Sequence, residues 1–234
     1  GQHKEMVDQV FDLFHIQADY DLNLMLDCQT LAHITCKVIN GLQEIFINEK
    51  PNLVIVQGDT TSAFSGALSA FYQNIPIAHV EAGLRTKDIF NPFPEEANRR
   101  MISQISSLNF APTELSAENL KVEKISGPIY VTGNTVIDSV LTISKKMRDH
   151  KIFSDDNKEK KRIFTTVHRR ENWGKNIKNI TLAINNLTKK YQEIEFIIPM
   201  HPNPVVRNVL IDDLSHNDQI QLLEPLSYEQ LVYF

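Results

Sequence analysis

The chain has 234 residues, 42% of them hydrophobic and 23% charged, which suits a globular protein with core enough for one large domain or two small ones. A formal net charge of -5 gives no global basic field for nucleic acid, although a cleft can still hold an anion locally. Two cysteines, Cys28 and Cys36, make no CxxC pair and no zinc cluster. No apolar run approaches the roughly 20 residues of a membrane span. Free thiols in a reducing cytoplasm are therefore the expected setting.

Gly1-Gln2-His3 is an unusual opening without an initiator Met, and the close "LSYEQLVYF" is apolar and amphipathic, so a fragment of a longer protein is expected. Residues 4–14 carry Met6, Val10, Leu13 and Phe14 at helical spacing, and residues 30–49 repeat that pattern. Pro51 ends the second helix. "LVIVQ" follows as a short apolar run, the kind that suits a parallel strand covered on both faces. Helix is then expected over 62–73, strand in "IPIAHV", and helix in "EEANRRMISQIS". The strands "LNFAP" and "IYVTG" lie around a helix in "ELSAENLKVE". The charged stretch "KKMRDHKIFSDDNKEKKR" reads as a solvated linker or helix surface. Beyond it come the strand "IFTTV", a helix from about 175 to 191, the strand "IEFIIP", a helix from about 204 to 214, the strand "IQLLE" and a helix from about 227. The alternation predicts an α/β fold with mainly parallel sheets in two units.

Four of these strands end in ionisable side chains. "LVIV" runs into Gln57-Gly58-Asp59-Thr60-Thr61, and "IPIAHV" into Glu81-Ala82-Gly83-Leu84-Arg85. "IFTTV" runs into His168-Arg169-Arg170-Glu171, and "IEFIIPM" into His201-Pro202-Asn203. Ligands of open parallel sheets bind beyond the carboxyl ends of the strands. Asp59, Glu81 and the pair Glu95-Glu96 offer acid and base groups; Arg85, Arg169, Arg170, His168 and His201 offer donors to an anion. Thr60 and Thr61 open a helix whose amides can hold phosphate. Together these groups suit a phosphorylated substrate on which protons are moved. No Walker lysine loop or GxGxxG is present to indicate an NTPase or dinucleotide site. Each residue also has a plainer reading. Asp59 and Thr60 cap a helix, Glu81 pairs with Arg85, and His79 is a satisfied core histidine. Glu95 and Glu96 favour a helix dipole and pair with Arg99 and Arg100.

The words "GDTTSA" (58–63), "HVEAGLRT" (79–86), "NPFPEEANR" (91–99), "VTGNTVID" (131–138), "TVHRREN" (166–172) and "PMHPNP" (199–204), with "GQHKEMVDQV" (1–10) and "DYDLNLM" (19–25), resemble the non-hydrolysing UDP-N-acetylglucosamine 2-epimerases in order and spacing over essentially the whole chain. The resemblance implies two Rossmann-like domains with an interdomain cleft, similar to glycosyltransferase-B enzymes, both incomplete here. The expected division is an N-terminal domain over 1–147, a polar linker over 148–161 and the start of a nucleotide-binding domain over 162–234. The implied reaction interconverts UDP-N-acetylglucosamine and UDP-N-acetylmannosamine through a 2-acetamidoglucal, without metal or nicotinamide, in a homodimeric, cytoplasmic enzyme serving cell-surface polysaccharide synthesis. A related UDP-sugar as substrate, a non-catalytic sugar-nucleotide-binding module and a glycosyltransferase are the alternatives.

By motif, Asp59, Glu81 and Glu95 match the family's catalytic carboxylates and His168 its active-site histidine. Arg85, Arg169, His201 and Thr60 are the expected substrate-binding residues, Arg169 and His201 matching positions near the nucleotide diphosphate or a second, regulatory sugar nucleotide. The family's GTRPE loop and DSGG segment have no counterpart here, so the fragment alone is expected to be inactive. Gln57 stands where a histidine is frequent, and Leu231 near where an aromatic often faces uracil. Cys28 and Glu5 replace an arginine and a glutamine of allosterically regulated members, which weakens the expectation of activation by a second sugar nucleotide.

Overall fold

A computed structural model describes residues 4–24, 29–150, 160–167 and 174–234. Its two compact units, Gly1–Ser139 and Val140–Phe234, are both α/β, as the alternation predicts. Among the described residues no helix is long and apolar enough to cross a membrane.

The first unit opens with helices α1 (Lys4–Phe14) and α2 (Leu31–Glu49). Four parallel strands follow, β1 (Val54–Gln57), β2 (Ile77–Val80), β3 (Leu108–Ala111) and β4 (Ile129–Val131), ordered β1-β2-β3-β4. Helices α3 (Thr61–Tyr72), α4 (Glu95–Ile105) and α5 (Glu114–Val122) connect them. Parallel pairing puts all four carboxyl ends on one edge. Val56 stands opposite His79, and His79 opposite Asn109. Threonine side chains start three of the helices: Thr30, Thr60 and Thr113 accept from His33 N, Ala63 N and Ser116 N. Small buried residues on α3 (Ser65, Gly66, Ala67, Ser69, Ala70) let it lie close to α2 and β1. Val56, Ala67, Ala70, Ile77 and Ile102 form the core there.

One expectation about β1 changes. Coverage on both faces holds for β2, whose Ile77, Ala78 and His79 are all buried. On β1, by contrast, Ile55 is 65% exposed. β1 is an edge strand with one bare face among the described residues.

Helix α6 (Thr135–His150) was not foreseen, because its charged end hides an apolar stripe. Val136, Val140, Ile143 and Met147 recur at helical spacing, and Ile143 and Met147 are buried. The division between the two units falls within this helix.

The second unit carries β5 (Lys161–Phe164), β6 (Ile194–Pro199) and β7 (Ile220–Leu223), parallel and ordered β5-β6-β7. Its helices are α7 (Lys175–Lys190), α8 (Pro204–Leu214) and α9 (Tyr228–Tyr233). β6 is central and buried along most of its length, as a run covered on both faces should be. Ile177, Ile184, Phe196, Ile198, Val206, Leu210 and Leu214 make up most of this core. Asn203 caps α8 ahead of Pro204, and Ser227 and Gln230 form a capping box on α9. The strand expected at "IFTTV" begins two residues earlier, at Lys161, because Arg162 pairs with the buried Glu195 on β6 at 2.6 Å.

Candidate functional site

In the first unit, β1 and β2 end side by side. Beyond β1 the chain turns at Gly58, whose φ of 74° is in the left-handed region. Asp59 follows, and Thr60 then caps α3. Thr60 accepts from Ala63 N at 3.2 Å, so the structure gives its hydroxyl the cap role weighed from the sequence. Asp59 takes no part in that cap. Its carboxylate meets Arg99 of α4 at 2.7 Å, and its carbonyl accepts from Asn98 Nδ2 at 2.9 Å. Helix α4 therefore clamps the turn after β1 through two successive residues.

Arg99 is itself held from the other side. Its Nη1 lies 3.4 Å from Glu96 Oε2, close enough for an ion pair but without hydrogen-bond geometry. Arg100 Nε donates to Glu96 Oε1 at 2.7 Å. The Glu96 side chain is fully buried. The pairing expected within this helix thus falls on Glu96. Glu95, the first residue of α4, is half-buried and directly precedes this cluster.

Glu81 directly follows β2 with φ at 67°, a conformation that costs a residue with a side chain about 1–2 kcal/mol. A non-glycine residue held there is a reason to suspect a site. Its Oε2 lies 3.9 Å from where a Cβ on Gly58 would sit, so the Glu81 carboxylate stands beside the β1 turn. The segment after Glu81 is pinned residue by residue. Ala82 N donates to Phe110 O of β3 at 3.0 Å. Gly83, with φ at 90°, packs so tightly on α5 that a Cβ would come within 2.2 Å of Ser116 O, and its carbonyl accepts from Asn119 Nδ2.

Arg85 completes this anchorage. Its Nε and Nη2 each donate to Glu123 at 2.7 Å, Nη1 to Leu84 O, and Nη2 also to Ser103 Oγ. Its side chain is only 8% exposed. Expected as a donor to an anionic ligand, or else as a partner of Glu81, Arg85 instead spends every nitrogen on Glu123 and its neighbours. The geometry makes it a fastening for the loop that carries Glu81. The bidentate Arg85 guanidinium holds the Glu123 carboxyl below its ordinary value of 4.5, against the opposing effect of burial. A carboxylate with a lowered folded-state value stabilises the protein above pH 4.5 and loses that contribution as pH falls through the lowered value. Glu123→Gln is therefore expected to narrow the difference in denaturant midpoint between neutral and acidic pH.

In the second unit, His201 follows β6, and its Nδ1 accepts from Asn203 N at 3.0 Å. This bond fixes the tautomer with the proton on Nε2. His168 and Arg169, with Arg170, lie outside the described residues, as do Cys28 and the Glu5 side chain. Among the described residues no three His, Cys, Asp or Glu side chains gather as a metal site.

The structure thus brings Asp59, Glu81 and Glu95 to neighbouring elements, sets Thr60 as a cap and turns Arg85 to a structural partner. Sequence reasoning missed Asn98, Ser103 and Glu123. Asn98 carried a usable signal, because asparagine disfavours helix interiors and a buried one there calls for a partner outside the helix. Two carboxylates and a half-buried third, backed by a guanidinium, can take a proton from carbon and return one.

The family model described as UDP-N-acetylglucosamine 2-epimerase matches residues 1–234. UDP-N-acetylglucosamine 2-epimerase of Neisseria meningitidis is 49% identical over all of this chain and 65% of its own length. The crystal structure of the Neisseria meningitidis UDP-GlcNAc 2-epimerase bound to UDP-GlcNAc superposes with a TM-score of 0.90 at 47% identity, over 99% of this chain and 65% of that one. The S. aureus MnaA-UDP co-structure gives a TM-score of 0.84 at 42% identity, over 100% and 62%. The chain spans about two thirds or less of the length of each relative. From a match over its whole length, the chain belongs to the UDP-N-acetylglucosamine 2-epimerase family.

Proposed function

We propose that the full-length protein interconverts UDP-N-acetylglucosamine and UDP-N-acetylmannosamine. The C2 proton is removed as the C1–O bond to UDP breaks, leaving a C1=C2 double bond in 2-acetamidoglucal and free UDP. UDP then adds back at C1 while C2 is protonated on the opposite face. Protons must be handled on two faces of one carbon, so more than one placed acid or base is required. Asp59, Glu81 and Glu95 supply them in this reading. The observation that carries it is the set of carboxylates at the ends of β1 and β2 and the start of α4, with Arg99 clamping Asp59.

His168 acts in the same chemistry. Arg169 and His201 hold the anionic UDP portion, with Thr60 and the start of α3 contributing to substrate binding. Arg85 serves by anchoring the Glu81 loop. We place the two α/β units in separate domains of a cytoplasmic homodimer. Titrating the full-length protein with UDP-N-acetylglucosamine and following the sugar by proton NMR tests the reading. UDP-N-acetylmannosamine growing to a fixed equilibrium ratio supports it; substrate bound but unchanged would leave a binding module.

A further inference from the structure

His79 lies in the middle of an apolar strand and is fully buried, and among the described residues its ring makes one hydrogen bond, from Nε2 to Gly58 O at 2.8 Å. A carbonyl only accepts, so Nε2 carries a proton. Nδ1 has no hydrogen-bond partner among the described residues. Protonating Nδ1 as well would place a bare cation in the core, and burial indeed pushes the ring toward its neutral form, against the Gly58 hydrogen bond. Asn109, opposite His79 on β3 and on the same face of the sheet, is also fully buried with both amide atoms unpartnered. Its Nδ2 is a donor of the right chemistry for Nδ1, directly or through one water.

Gly58 is the residue on which the β1 turn hinges. It bonds to β2 at both ends: its N–H donates to Val80 O at 3.0 Å and its carbonyl accepts from His79. Asp59 comes next, and the Glu81 carboxylate sits beside Gly58. We propose that His79 is a positioning residue which, as the neutral Nε2–H tautomer, locks the β1 turn to β2 and so sets the spacing between the Asp59 and Glu81 carboxylates. It touches no substrate itself. This inference rests on the epimerase reading for its catalytic consequence, while the tautomer and the bond stand apart from that reading.

The side chain of glutamine places its amide nitrogen about where Nε2 of histidine lies, so His79→Gln keeps the donor and His79→Phe removes it at similar bulk. In full-length protein with UDP-N-acetylglucosamine, His79→Phe should lower kcat about 10²-fold, as expected for misplaced reacting groups, with KM changed by no more than about threefold. His79→Gln should recover most of that loss. Nitrogen-15 NMR of histidine-labelled wild-type protein at neutral pH should show His79 protonated on Nε2 and bare on Nδ1. A folded His79→Phe with wild-type kcat, a His79→Gln as impaired as His79→Phe, or a proton on Nδ1 would each overturn the proposal. Should His79→Phe fail to fold, the glutamine variant and the NMR decide. Should wild-type protein show no epimerisation at all, the functional reading falls, and the NMR still decides the bond.

Discussion

Glu96→Ala is expected to destabilise the protein by about 3–5 kcal/mol, measured as a shift in denaturant unfolding of the full-length chain. Glu96 is fully buried and acidic, which is tolerable only because two arginines face it. Removing it leaves a cavity and strips Arg99 and Arg100 of a shared partner. Arg99 keeps Asp59, and Arg100 keeps its bond to Thr86 O at 3.0 Å, but neither replaces a buried carboxylate. The damage also reaches the site, because Arg99 is what holds Asp59. Any activity left in Glu96→Ala is expected to fall with stability.

Asp59→Asn should separate the two properties. It removes a charge and a base while keeping shape. Arg99 retains Glu96, and the Asn98 bond goes to the backbone carbonyl, which the substitution leaves in place. The stability cost is expected at about 1 kcal/mol or less. Turnover is expected to fall about 10²–10⁴-fold, the usual contribution of a placed acid or base. Glu81→Gln and Glu95→Gln should show similar losses in kcat. A folded Asp59→Asn with wild-type turnover would remove Asp59 from the chemistry and leave it as the partner of Arg99.

Much of the fold was legible because short apolar runs such as 54–57, 77–80 and 194–199 are bounded by turn residues and alternate with helical spacing. The helix caps at Thr60, Thr113, Asn203 and Ser227 sit where local sequence rules put them. Helix α6 was less legible because the charged residues at its end break up the apolar stripe that carries Ile143 and Met147. The carboxylates were visible as strand endings, since a parallel sheet sends its carboxyl ends to one edge.

Their partners were less so. Arg99 meets Asp59 across 40 positions and Arg85 meets Glu123 across 38, and no local periodicity reports such pairs. Arg85 beside Glu81 in the sequence suggested a short-range pair. Yet Glu81 adopts a positive φ, and the arginine instead reaches the end of α5. His79 was expected to be satisfied; its Nε2 is, by Gly58 O, while Nδ1 has no hydrogen-bond partner among the described residues, and neither has the amide of Asn109, which strand register sets opposite it.

The most direct test of the carboxylate site uses heavy water. The full-length protein is incubated with UDP-N-acetylglucosamine, and the UDP-N-acetylmannosamine formed is examined by NMR and mass. Proton removal and return at C2 predict one solvent deuterium at C2 of every product molecule, and no such label with Asp59→Asn or Glu81→Gln on the same timescale. Product formed with its original C2 proton retained would contradict the account, because the carboxylates would then have no proton to move.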